Sequence, residues 1–478
     1  MVELVRVLIS GATGFIGRAL VPRLQRNGHS VVVWARSDTR AMALLGADID
    51  VVSIAAGQDA LVAALSGCDA VINLAGEPIL GARWTQKRRA ILRSSRVGVT
   101  EQLVTAIGAA NPRPRVLVSG SAVGFYGNRG DETLTESSPA ADDFLARLCQ
   151  EWEHAAFAAS ASHVRVVVVR TGVVLGRAGG ALAQMLPPFK LGAGGPIGSG
   201  RQFLPCIHLH DLVKLFVTAM EDDRYRGAVN GVAPEPVTSR TFARALGRAL
   251  HRPAILPTPS LALRAIFGEA AVVLLASQRV EPEVAKRLGF VWEFPSLDAA
   301  LHDIVDGVPV EIEKVRRTGS VRLQADGSGA KYLLHTTTSI NAPVDEAFAF
   351  FSKAANLGLI TPAAMKFRIE GQVPAMGEGA IIIYRVRIGL LPVRWKSRIV
   401  SWNQDRSFAD VQESGPYRMW RHEHAFTAQG ARTIMQDRVY YTPPISVLAG
   451  LANKLFVARS LRAIFKYRAD IIRLRFGA

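Results

Sequence analysis

Between residues 5 and 170 the chain repeats one unit: a β-branched apolar run, a glycine or polar turn, and a segment with apolar positions at helical spacing. The runs lie at residues 5–10, 30–35, 70–75, 116–121 and 164–171. Strands alternating with helices in this way predict a parallel, doubly wound sheet. The unbroken apolar character of VVVW and VRVVVVR fits strands covered on both faces. After Thr171 the alternation loosens into GRAGGALAQMLPPFKLGAGGPIGSGRQF, then into helices and short strands up to about Val308. This region is expected to form a small lid over the carboxyl edge of the sheet, where ligands of such folds bind. Residues 309–330 are charged and Gly/Ser-rich and read as a linker. From Lys331 the order changes to a strand (YLLHTTTSI), short helices, alternating strands (GAIIIYRVRI, RWKSRIVSW, RMWRHEHAFTA, RTIMQDRVYYT), and a long basic helix near residues 445–475. That order predicts an α+β unit over 331–478, an antiparallel sheet wrapped on its last helix.

Composition supports two folded units. The 478 residues exceed what one core usually holds, and 49% hydrophobic with 20% charged residues excludes a disordered chain. Cys68, Cys149 and Cys206 are widely spaced, so no disulfide framework and no zinc or other metal site is expected, and the reading is a reduced, cytoplasmic protein. The apolar N-terminal run contains Glu3 and Arg6 and ends in glycines, unlike a signal peptide, and no apolar stretch approaches the ~20 residues of a membrane span. The net charge is +17, and residues 331–478 carry 21 Lys/Arg against 10 Asp/Glu, about +11 of it. Charge alone, without a recognition motif, does not indicate nucleic-acid binding.

The chemistry begins at Gly11, Gly14 and Gly17, a GxxGxxG directly after the first strand and at the start of a helix. Gly11 permits the tight turn, Gly14 lets a pyrophosphate approach, and Gly17 packs the helix on the sheet with its N-terminus toward the negative charge. Pro22 inside this helix predicts a kink. Arg36 and Ser37 end the second run, where an acidic residue would hold the ribose hydroxyl of NAD. A guanidinium there suits a 2′-phosphate, so NADP is favoured over NAD; a solvated surface arginine is the plain alternative. Small residues at Ala75 and Gly76 leave room for a ligand crossing the sheet edge.

Together with EPILGARWTQKRRAILRSSRVGVT, SGSAVGFYGNRGDETLTE, RTGVVLGRAGGAL and LPPFKLGAGGPIGSGRQ, these residues resemble the epimerase-like, atypical branch of the short-chain dehydrogenase/reductase superfamily over about residues 4–305. The resemblance implies an NADP-binding Rossmann fold. Thr13, Phe15 and Ile16 of the glycine turn, with Arg36, Ser37, Glu77, Arg83 and Val173, then stand at positions expected near the cofactor. Active extended members use a Ser/Thr, a Tyr and, four residues later, a Lys that lowers the tyrosine pKa. Ser121 matches the first, but Leu145 and Cys149 stand where Tyr and Lys belong, so a catalytic domain needs another acid beside Ser121. Tyr126, Asp142 and Asp143 lie on segments expected to face the nicotinamide; Tyr126 reads equally as packing, and the aspartates as helix caps. His208 and His210 read as structural, with Asp211 capping the next helix.

The segment 331–478 resembles the helix-grip family of START-like and polyketide-cyclase-like proteins, which implies an apolar cavity lined by Trp395, Trp402, Trp420 and Phe456, or the same aromatics as plain core. Two functions follow. One is an NADP-dependent epimerase-like oxidoreductase or isomerase of an apolar or amphipathic small molecule that the second unit holds. The other is a non-catalytic NADP-binding redox sensor or regulator. Extended reductases often form a homodimer, and no interface is specified here.

Overall fold

The structure, a computed structural model, describes residues 4–477 except 47–48, 178, 316–329, 373–374, 390 and 444–456. It divides into two compact units, Met1–Asp306 and Gly307–Ala478.

The strands of the first unit are β1 (Arg6–Ser10), β2 (Ser30–Ala35), β3 (Asp50–Ser53), β4 (Ala70–Asn73), β5 (Val116–Ala122), β6 (Thr133–Leu134), β7 (Arg165–Thr171), β8 (Val173–Leu175), β9 (Cys206–His208), β10 (Gly227–Gly231) and β11 (Arg279–Val280). Seven form one parallel sheet in the order β10-β7-β5-β4-β1-β2-β3. The chain leaves β1 toward β2 on one side and returns to β4 on the other, so the strand order reverses at β1 and opens a crevice there. On one face Leu8, Val32, Val71, Leu117 and Val168 pack against Leu61, Leu65, Leu103, Ile107 and Ala156 of the covering helices. The helices Gly17–Arg26 and Leu209–Glu221 pack together. Pro22 lies inside the first of them and is buried.

Beyond β7, helices Gly180–Lys190, Ser239–Ala249 and Leu297–Asp306 share a core built on Leu175, Leu182, Phe189, Phe242, Leu246 and Leu301. Asp211 was expected to cap the helix Leu209–Glu221, but His208 does so, accepting from the His210 N–H at 3.2 Å. The Asp211 carboxylate instead accepts from Glu293 and Phe294 N–H at 2.6 and 3.0 Å, tying the helix to a distant loop.

The second unit is an eight-stranded antiparallel sheet. Its strands are β12 (Val310–Lys314), β13 (Tyr332–Ile340), β14 (Arg368–Ile369), β15 (Ile381–Ile388), β16 (Leu391–Asn403), β17 (Ser407–Ser414), β18 (Met419–Gln429) and β19 (Arg432–Thr442), in the order β12-β13-β19-β18-β17-β16-β15-β14. Residues 310–314, expected in the linker, are thus an edge strand paired with 332–336; their charged side chains are tolerated because an edge strand keeps one side in water. The helix Ala458–Phe476 lies against the sheet, burying Ile472 and Phe476 with Phe348, Phe426 and Met435, and Leu461 and Phe465 with Leu334, Val439 and Tyr441. Phe456 and the first part of the expected helix lie outside the described residues. Among the described residues no helix is long and apolar enough to cross a membrane, and Cys68, Cys149 and Cys206 are free and buried.

Candidate functional site

At the end of β1 the chain turns through Gly11–Ile16 into the helix Gly17–Arg26. Gly11 has φ +71°, and a Cβ there would lie 2.5 Å from the Leu74 carbonyl carbon, so only glycine fits. A Cβ on Gly17 would strike the Ala12 backbone at 2.5 Å, which lets the helix start tight against the turn. Gly14 is exposed and its N–H donates to the Gly11 carbonyl at 2.9 Å, leaving the outer side of the turn bare for a phosphate. Thr13, Phe15 and Ile16 are half-buried. A Cβ on Gly176, Gly179 or Gly180 would lie 2.8, 2.6 or 2.9 Å from the Phe15 ring, so the Gly-rich stretch after β8 folds around that side chain.

Parallel topology carries the other residues to the same sheet edge. Arg36 follows β2 with 81% of its side chain exposed, and its Nη2 lies 3.8 Å from Glu77 Oε1. Ser37 accepts from the Arg40 N–H and caps the next helix. Ala75 and Gly76 follow β4, and a Cβ on Gly76 would lie 3.2 Å from Arg96 Cζ. Arg96, which sequence reasoning did not single out, donates to the Glu77 carbonyl at 2.8 Å from a widened π-helical turn, Ser94–Gly98. Such turns recur at functional sites, and burial lowers the Arg96 pKa. Arg83 is exposed and donates to the Ala265 and Ile266 carbonyls, while Val173 opens β8 with its N–H 2.7 Å from the Pro205 carbonyl.

Ser121 and Tyr126 belong to one buried network. Ser121 Oγ donates to Glu153 Oε1 at 2.6 Å. Arg170 donates to both Glu153 oxygens at 2.9 Å through Nε and Nη2, and to the Tyr126 hydroxyl at 3.0 Å through Nη1. Tyr126 donates to Asn230 Oδ1 at 2.7 Å. Ser121 is 4% exposed and Tyr126 0%. Burial raises the tyrosine pKa, whereas the Glu153 carboxylate overcomes burial at Arg170 and raises its pKa too. Asp143 caps the helix Phe144–Phe157 by accepting from Leu145 and Ala146 N–H. Leu145 Cβ and Cys149 Sγ would lie 3.4 and 3.8 Å from a Cβ on Gly124, facing the turn that carries Tyr126, and burial pushes the Cys149 thiol up to about 12.

Comparison with known proteins matches this arrangement. The NAD dependent epimerase/dehydratase family profile covers residues 7–230, and a domain of unknown function (DUF1731) covers 258–304. The epimerase family protein SDR39U1 of Homo sapiens is 42% identical over 305 residues, spanning 63% of this chain and 99% of the relative. The chloroplastic SDR39U1 homolog of Arabidopsis thaliana is 42% identical over 301 residues, spanning 63% of this chain and 86% of the relative. The chain belongs to the SDR39U1 epimerase family. A crystal structure of human SDR39U1 (isoform 2) with NADPH superposes with TM-score 0.56 at 39% identity, over 63% of this chain and 99% of that one.

In this SDR39U1-family chain the segment 258–304 closes the buried network from outside. Gln278 Nε2 donates to the Val123 carbonyl at 2.9 Å, Ser277 Oγ to the Gly130 carbonyl at 2.6 Å, and the Glu281 carbonyl accepts from Asn230 Nδ2 at 2.9 Å. Glu153 and Arg170 were legible only as charges at the ends of apolar segments (QEWEH, VVVVRT), a weak sign of a buried pair.

The second unit encloses a cavity of about 360 Å³ between the inner face of the sheet and the helix Ala458–Phe476. Trp395 and Trp420 line it; Trp402 packs beside Phe348 and Phe408 in the apolar core. Asp410, His422, His424 and Arg468 make a polar wall. Asp410, His422 and His424 bring ligand-type atoms within 4.8 Å of one another, and Arg468 Nη2 lies 3.2 Å from His424 Nδ1.

Proposed function

We propose that the first unit binds NADP and acts as an oxidoreductase or isomerase on a small molecule. The observation that carries the reading is Arg36, an exposed guanidinium at the end of β2 beside the glycine turn. Human SDR39U1 with NADPH supports it. The site fits the group: the bare turn at Gly14 and the helix N-terminus suit the pyrophosphate, Arg36 and Ser37 the 2′-phosphate, and Ala75–Glu77 the adjoining ribose. When bound, the cofactor supplies hydride transfer. Ser121, at the carboxyl end of β5, is then the candidate catalytic side chain, and Tyr126 a positioning residue that acts through Arg170 and Glu153.

Titration of the full chain with NADPH and NADH tests this. Arg36→Asp should cost NADPH about tenfold to a hundredfold in affinity, the worth of a charge-assisted contact, and leave NADH little changed. Equal loss of both nucleotides would remove the basis for NADP.

A second reading, a non-catalytic NADP-binding sensor, is favoured by one observation: the Ser121 and Tyr126 hydroxyls both donate within a buried network rather than toward a cleft. Oxidation of NADPH with a panel of carbonyl compounds decides between them. Turnover supports the enzyme, and tight binding without turnover supports the sensor.

The second unit fits the helix-grip reading through its antiparallel sheet, its terminal helix and the cavity between them. We take it to hold an apolar or amphipathic ligand, and fusion raises the effective concentration of that ligand near the first unit.

A further inference from the structure

The cavity of the second unit departs from a plain apolar container in what it leaves unfinished. Asp437 of β19 is buried and accepts from His422 Nε2 at 3.0 Å and His424 Nδ1 at 2.7 Å, with Arg468 Nη2 at 3.3 Å. Burial opposes ionisation of Asp437, but Arg468 and the two imidazoles outweigh it and hold the carboxyl well below its usual range. Asp410, 3.9 Å from His422 Nδ1, is pushed up by burial, and His424 is pushed down to about 3, again by burial first. The Arg468–Asp437 pair therefore cancels its own charge, and its neighbours lean to neutral.

Among the described residues, besides the unpaired Ser397 hydroxyl, two N–H donors of the cavity lining remain without an acceptor: Arg468 Nε and Trp395 Nε1. Both side chains are 7% exposed and both line the cavity. A buried donor left unpaired costs about 1–3 kcal/mol, so an occupant that brings an oxygen recovers that cost. The walls around Trp395 are flat and aromatic, with Tyr384 stacked at 5.8 Å and Trp420 edge-on at 5.2 Å. Such surfaces favour a planar ring. At the Arg468–Asp437 end of the cavity the wall is already neutral, so an ionic ligand of either sign would stand uncompensated there; Arg387, the other arginine of the lining, sits beside the exposed Ile388 and Gly389.

Building on the ligand-holding role proposed for this unit, we propose that its cavity selects neutral aromatic compounds bearing an acceptor oxygen of the carbonyl type, met by Arg468 Nε–H or Trp395 Nε1–H. This is the compound class that a nicotinamide-dependent unit reduces, so the two halves of the chain address one chemistry.

Three shape-matched probes test it on the full chain, with binding followed by tryptophan fluorescence: 2-acetylnaphthalene, 2-ethylnaphthalene and 2-naphthoate. The ketone should bind at least about tenfold more tightly than the other two, as one satisfied donor predicts. Trp395→Phe, which keeps a ring and removes the donor, and Arg468→Gln should each reduce the ketone's advantage while sparing 2-ethylnaphthalene. If ketone and hydrocarbon bind equally, the cavity holds ligands but the proposed selectivity is wrong. If the carboxylate binds tightest, the preference for neutral ligands is overturned. If none binds, the ligand-holding role itself fails.

Discussion

Arg170 in the first unit and Arg468 in the second are both buried beside carboxylates, and they are completed differently. Arg170 spends Nε, Nη1 and Nη2 on Glu153, Tyr126 and the Glu136 carbonyl, and of the groups around it only Glu136 Oε2 is left without a partner among the described residues. Arg468 sets Nη2 3.3 Å from Asp437 and 3.2 Å from His424 Nδ1, while its buried Nε has no acceptor. A closed network fixes geometry, because every displacement breaks a bond. An open one beside a void stores an unmet hydrogen bond that a ligand can satisfy. Buried charge alone therefore does not mark a binding site; an unspent donor in the lining of a cavity is what sets Arg468 apart from Arg170.

The largest effect should come from opening the closed network. Glu153→Ala leaves Arg170 charged and unpaired in the interior and should destabilise the first unit by about 3–5 kcal/mol, measured by denaturant unfolding. A loss below about 1 kcal/mol would show that the network is not closed as described.

The open network should declare itself through pH. The imidazole of His424 faces His422, Asp437, Arg468 and Phe408, with Asp410 beyond His422. Its pKa is about 3 in the folded protein against 6.5 ordinarily. Between these values the unfolded chain takes up a proton that the folded chain refuses, so stability should fall as pH drops from 6.5 toward 3. Asp437 adds to this below 3.8, where its ionised folded form is lost last. Asp410 acts oppositely: its raised pKa favours the folded state at low pH, and that benefit fades as pH rises past its shifted value. Thermal unfolding of the second unit across pH should show the fall, and His424→Gln should flatten it by about 3–5 kcal/mol over the range. An unchanged slope would remove His424 from the argument.

The smallest effect is expected at Tyr126→Phe, about 1 kcal/mol from one lost hydrogen bond to Asn230 and one from Arg170. If the first unit turns over NADPH, the same variant should also shift the pH profile of turnover while leaving KM for NADPH unchanged. A purely structural tyrosine would not move that profile.

The sequence made the strand-rich half of each unit readable and left the polar interior dark. β1, β2, β4, β5 and β7 are dense β-branched runs, so burial on both faces is written in their composition. β3 (DVVS) and β10 (GAVNG) were missed because four or five residues, two of them glycine in β10, hold too little apolar signal; the neighbouring strands make them. β17 (SFADVQES) was missed because Asp410 points into the cavity wall and breaks the alternation that reveals a half-buried strand. The glycine turn and Arg36 were legible because backbone geometry and phosphate charge restrict which residues serve there. Asn73 was noticed only as the end of a small-residue strand, yet it accepts from Ser10 Oγ at 2.5 Å and donates to Thr100 and Ser119, joining β1, β4 and β5. Such partners lie 27 to 63 positions apart, and a single sequence carries no mark of that pairing.

The ring of Phe15 occupies the hollow left by Gly176, Gly179 and Gly180, more than a hundred and fifty positions downstream. These four residues are one lock and its key. A bulkier residue at Gly176 or Gly179 is admissible only with a smaller one at 15, whereas Gly180, at φ +70° with its Cβ position 2.8 Å from the Val174 carbonyl, must stay glycine whatever stands there; a smaller residue at 15 leaves an empty socket beneath the glycine turn. Positions 15, 176 and 179 are therefore expected to change together, and a substitution at one is a forecast for the other two.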